Sequence, residues 1–147
     1  MGTRIYGWVE GTIDDAGNRD EHSWRGIICL SSLIGICGQG CAELFGLSKA
    51  QLSGMSEQSA LFPNRGIPPL PSEELRRDLD DIRKFEATYG TASDFGYTYA
   101  TWAELIAHRD RPSEDFEWRL LFDLMELLAT DERFLPDRLR VVVWCSW

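Results

Sequence analysis

Lysine is nearly absent from this chain, histidine is scarce, and no long apolar run occurs. Among 147 residues there are two Lys (Lys49, Lys84) and two His (His22, His108). Acids outnumber bases 24 to 15, for a formal charge of -9 and a pI near 4.7. A non-specific DNA or RNA binder needs a basic footprint to release counterions, so no nucleic-acid polymer is expected as a partner. An anionic membrane surface is excluded on the same ground. No stretch reaches the roughly 18 apolar residues of a spanning helix. The first residues alternate like a strand and do not form a charged-then-apolar leader, so a cytoplasmic protein is expected. The four cysteines, Cys29, Cys37, Cys41 and Cys145, then read as reduced thiols. Cys37 and Cys41 would share a helix face and, with His22 or His108, would make a zinc site. No second closely spaced ligand pair accompanies them, so no metal and no cofactor is expected.

What remains is a chain of one-domain length that can bury roughly two thirds of its unfolded surface. Its bases are 13 Arg beside the two Lys, and aromatics make up 12% with six Trp. That excess of Arg reads either as a coding bias or as chemistry, since the guanidinium fork suits phosphate and stacks on rings. In the segment from Thr3 to Ile13, Ile5, Val9 and Ile13 fall on one face with Gly7 and Gly11. Arg4, Tyr6, Trp8 and Glu10 fall on the other, which is strand periodicity. After a polar loop, Ser23 to Leu30 reads as the second strand of a hairpin. Cys41, Leu44 and Phe45 mark the buried stripe of a short helix. Pro63, Pro68, Pro69 and Pro71 predict an ordered loop lying across the surface.

Ser72 predicts the cap of a helix to about Tyr89, with Leu75, Leu79, Ile82 and Phe85 as its stripe and Gly90 as its stop. Its charged remainder reads as a solvated face. Thr101 and Glu104 form a capping box before a short helix to His108. Ser113 opens a helix to about Thr130, where Phe116, Leu120, Phe122, Leu124, Leu127 and Leu128 predict burial over more than half the circumference. The β-branched end, Leu139 to Trp147, predicts a central strand. The fold class is α/β or α+β: one domain over 1–147, with a small mixed sheet covered by about three main helices.

Catalysis by a nucleophile needs a base beside it, and only His22 and His108 offer the usual one. The most distinctive cluster is aromatic. Phe95, Tyr97, Tyr99 and Trp102 interleave with Asp94, Thr98 and Thr101, and Tyr6 and Trp8 share a face of the first strand. One reading is an aromatic core with wet polar ends. The other is a stacking slot for a flat ligand, with Asp94 accepting from a hydroxyl or amine and Arg65 or Arg4 holding phosphate.

Several blocks together resemble a family of small, poorly characterised phage and bacterial proteins. They are Met1-Gly2-Thr3 through Val9-Glu10, Phe45-Gly46-Leu47, Arg65-Gly66-Ile67-Pro68, Tyr99 through Leu105, and Leu139 through Trp144. The blocks are short and collinear. Where that family usually carries a His-Ser-His-like segment, this chain has Phe95 and Tyr97, so a metal or acid–base role there is lost. Small phage proteins of this size include sponges that sequester cyclic or ADP-ribose-type immune signals. The resemblance implies a non-enzymatic nucleotide binder acting in a bacterial host cell, with its pocket at a homo-oligomer interface. Expected ligand residues are Arg4, Tyr6, Trp8, Arg65, Asp94, Tyr97, Thr98 and Tyr99. The alternatives are an inhibitor whose acidic face blocks a host defence protein, and a nucleotide hydrolase using Asp94 or a Cys-His pair.

Overall fold

The computed structural model describes residues 4–12, 24–35, 39–46, 60–109, 116–134 and 136–146. His22, Cys37, the loop joining the first two strands and the Ser113 cap lie outside them. Strands β1 (Arg4–Thr12), β2 (Trp24–Cys29), β3 (Asp94–Thr101) and β4 (Leu139–Ser146) form one sheet in the order β2-β1-β4-β3. The helices are α1 (Gln39–Phe45), α2 (Glu73–Tyr89), α3 (Trp102–Leu105) and α4 (Phe116–Ala129). This is a single α+β domain. All three strand pairings are antiparallel, where a mixed sheet was expected. The β-branched last strand is central, between β1 and β3.

The two sheet faces are built differently. On one, Ile5, Val9, Val141, Val143 and Cys145 meet α1, α3 and α4 in the main core. Trp102 and Trp118 are fully buried there, Trp118 against Phe45 at 5.4 Å and Trp102 against Phe122 at 5.7 Å between ring centres. Each large side chain so buried contributes about 1.5–3 kcal/mol. Helix α4 buries one stripe, Trp118, Leu121, Phe122 and Met125, and leaves Leu120 and Leu127 exposed. It is therefore less enclosed than its leucines suggested. Among the described residues one 3.6-period stripe of it meets the core.

On the opposite face, Val142, Trp144, Tyr6, Trp8, Tyr97 and Tyr99 pack under α2 through Leu75, Leu79 and Ile82. The Ser72 hydroxyl accepts from Leu75 N at 3.2 Å, and Gly90 closes the helix in the left-handed region at φ 69°. Phe85 continues the stripe but stays 49% exposed, because a cleft lies beneath it instead of core.

Residues 60–71 wrap the outer edge of β3. Phe62 packs into the main core, Gly66 N donates to Tyr97 O at 2.8 Å, and Ile67 joins the opposite face. An edge strand covered in this way cannot pair with another chain there. The end of this segment is pinned by a buried ion pair. Arg140 Nε donates to Glu10 Oε2 at 2.7 Å, and the two side chains are 4% and 0% exposed. Arg140 Nη1 and Nη2 donate to Pro69 O and Leu70 O, both at 3.0 Å, while Ser72 N donates to Glu10 Oε1 at 2.9 Å. The guanidinium also lies 3.8 Å from the Trp24 ring centre.

Candidate functional site

The site follows from strand register. Arg4, Ser146 and Asp94 are neighbours across β1, β4 and β3, and one step along the sheet Tyr6 faces Trp144. Between Phe95 and Thr98, β3 carries a bulge in which Gly96 adopts φ 72°. A glycine there takes the left-handed conformation without a Cβ clash, and the extra residue resets which side chains face α2. Tyr97 thereby joins Tyr6 in flanking Trp144. The ring centres are 5.7 and 6.2 Å from Trp144 and the planes within 26° and 20°. Burial pushes the Tyr97 phenol up to about 12.

Between this end of the sheet and the middle of α2 lies an open cleft of about 500 Å³. That volume falls in the range of about 300–1,000 Å³ typical of small-ligand sites. Tyr6, Trp8 and Trp144 line its sheet side, and Asp78, Asp81, Ile82 and Phe85 its helix side. Ser93, Asp94 and Ser146 close one end, Cys29 and Ser31 another. The polar groups are held in place. Trp8 Nε1 donates to Asp78 Oδ2 at 2.7 Å, and Trp144 Nε1 donates to Asp94 Oδ1 at 3.1 Å. The Ser93 hydroxyl donates to the other oxygen of Asp94, also at 3.1 Å. Among the described residues the lining holds three carboxylates and no Lys, Arg or His. Such a site takes hydrogen-bond donors and apolar rings, and it repels anions.

Of the eight residues singled out in the sequence, Tyr6, Trp8 and Asp94 line the cleft. Tyr97 packs against the Trp144 that lines it. Arg4 is exposed on the same sheet face, in register with the lining residue Ser146. The other three sit elsewhere. Thr98 is fully buried on the main-core side, where its hydroxyl donates to Phe62 O at 2.5 Å and accepts from Arg65 N at 3.3 Å. Arg65 gives its fork to Glu104, at 2.8 and 2.6 Å, and packs between the Phe62 and Tyr99 rings at 4.8 and 5.7 Å from their centres. The Arg65 bond, helped by Thr101, holds the Glu104 carboxyl down at about 2. His108 packs edge-on against Phe62 at 6.0 Å, on the main-core side.

Sequence reasoning missed the helix side of the cleft. Asp78, Ile82 and Phe85 are spaced four and three apart and so share one helix face. Ile82 and Phe85 read as part of the buried stripe and Asp78 as part of a solvated face, so the three were not joined into one site. Trp144 was missed because it sits in an apolar run, where it reads as core. No family model matches the chain, and neither a curated protein nor a solved structure does.

Proposed function

We propose that the protein binds and sequesters a small nucleotide-type signal, of the cyclic nucleotide or ADP-ribose kind, without converting it. The observation that carries this reading is the cleft. It is large enough for a nucleoside, and it combines the rings of Tyr6, Trp8 and Trp144 with the anchored carboxylates of Asp78 and Asp94. A base gains apolar contact there, and ribose hydroxyls find acceptors. Phosphate is excluded from the acidic interior and points out of the cleft, towards Arg4. The two indole bonds make Asp78 and Asp94 fixed acceptors, a role that suits recognition better than proton transfer. The resemblance in the short motifs supports a phage counter-defence role. A second copy seated over Phe85 and Tyr89, which are 49% and 66% exposed, would close the open side.

The test is retention. The purified protein is mixed with cyclic nucleotides and ADP-ribose derivatives, desalted and heated, and the supernatant is analysed. Stoichiometric recovery of an unchanged nucleotide is the expected result. Recovery of product alone would show a hydrolase, and retention of none would end the nucleotide reading.

A further inference from the structure

We infer that the cleft selects guanine among the nucleobases, read by Asp94; this rests on the nucleotide reading of the cleft. The argument begins with the polarity of the lining. The acidic side chains Asp78, Asp81 and Asp94 line it, and none of the described lining residues is a Lys, Arg or His. Each carboxylate oxygen has two lone-pair positions. Asp94 uses one on Oδ1 for Trp144 Nε1 and one on Oδ2 for the Ser93 hydroxyl. Both oxygens keep capacity, and two protein donors fix the plane of the group. A fixed carboxylate plane is complementary to two adjacent donors and to little else.

The hydrogen-bonding edges of the bases then decide. Guanine presents N1–H and the N2 amino group side by side. Adenine sets its N6 amino donor beside the N1 acceptor, and cytosine sets its N4 donor beside N3. Uracil has one donor between two acceptors. In each of these three, one carboxylate oxygen would face a lone pair. A polar group left facing the wrong partner in a partly desolvated site is what discriminates most strongly between ligands. Among the described residues Asp78 is held at one oxygen, by Trp8 Nε1, so its plane is less constrained and it suits a single donor such as a ribose hydroxyl.

The experiment is calorimetric titration of the full chain with guanosine, inosine, adenosine and xanthosine monophosphates. The guanosine nucleotide should bind best. Inosine, which lacks only the N2 amino group, should lose about tenfold, the size of one deleted hydrogen bond. Adenosine should lose more. Asp94→Asn should weaken the guanosine nucleotide and strengthen the xanthosine one, because the new amide N–H₂ donates to the C2 carbonyl while its oxygen still accepts from N1–H. That gain cannot come from a misfolded variant. Asp78→Asn should weaken all purine nucleotides alike and keep their order. Equal purine affinities, a preference for adenine, or a preference untouched by Asp94→Asn would overturn the inference and leave nucleotide binding standing. Failure of every nucleotide to bind would overturn both.

Discussion

Replacing the buried Arg140 should cost the fold far more than replacing an exposed charge. The guanidinium makes three hydrogen bonds, to Glu10, Pro69 and Leu70, and lies 3.8 Å from the Trp24 ring centre. Burial lowers its pKa, and the Glu10 carboxylate opposes that. Arg140→Met leaves a fully buried Glu10 with the Ser72 N–H alone and strips donors from two backbone carbonyls. Breaking a buried pair costs about 3–5 kcal/mol. A desolvated cation–π contact adds about 2 kcal/mol, although the two overlap. A net loss of about 4 kcal/mol is expected, which in a domain of this size lowers Tm by about 8–16 °C. Glu10→Leu should cost a similar amount. The double variant should cost far less than the sum, because a hydrophobic pair replaces a buried ion pair at little loss. It should not reach wild type, since Ser72 N, Pro69 O and Leu70 O remain without partners at about 1 kcal/mol or more each. Urea unfolding of the four proteins, with m-values compared, gives the coupling directly. Additive single costs, or an Arg140→Met midpoint within about 1 kcal/mol of wild type, would refute the view that this pair locks the 60–71 segment to the sheet.

Acid should act partly through Glu104. Its carboxyl is held at about 2 against an ordinary 4.5, so its contribution is complete above 4.5 and is lost as pH falls through about 2. Both partners are about a third exposed, so solvent screening limits that loss to about 1 kcal/mol. Urea midpoints between pH 6 and 2.5 should therefore fall more steeply in wild type than in Glu104→Gln, and parallel curves would reject the pairing. Gly7→Ala should destabilise by about 3 kcal/mol or more, since its Cβ would lie 2.0 Å from Val142 O. Gly35→Ala, with nothing within 4 Å of its Cβ, is the control expected to stay within about 0.5 kcal/mol. Light scattering should report a dimer that Tyr89→Ser weakens without moving the urea midpoint; a monomer at every concentration would reject the second copy.

Local chemistry was legible in the sequence wherever a short pattern has one physical outcome. Ser72, Gly90 and the Thr101–Glu104 box mark helix ends because they satisfy donors and backbone angles within four residues. The alternation in β1 and the β-branched run in β4 read as strands for the same reason. Long-range pairing was not legible. Nothing near Arg65 announces that Glu104 takes its fork, and nothing near Glu10 announces Arg140 across the sheet. Thr98 read as a ligand residue because it alternates with two tyrosines. The Gly96 bulge sends the tyrosines to one face and Thr98 into the opposite one. The Arg excess also reads differently once partners are known. Arg65, Arg109, Arg133 and Arg140 each meet a carboxylate, and of these Arg140 is the buried one that ties the 60–71 segment to the sheet.

The position of the cleft follows from coverage. A helix about 10 Å wide cannot cover four strands spaced about 4.8 Å apart. One face of the sheet is covered by three helices and becomes closed core. Among the described residues the other has α2, supplemented by residues 60–71 along the β3 side and at the Glu10 end. Among the described residues the cleft lies at the end holding Tyr6, Trp8 and Asp94, opposite the place where the 60–71 segment is locked by Arg140. Side chains at an uncovered sheet end must tolerate water, which favours rings with polar handles over aliphatics. Their indole N–H groups then require acceptors, and Asp78 and Asp94 supply them. Two of the three carboxylates in the cleft are thus the acceptors of its two tryptophans. Their charge fixes the sign of any ligand that enters, so whatever binds here must lead with its donors and leave its negative charge outside.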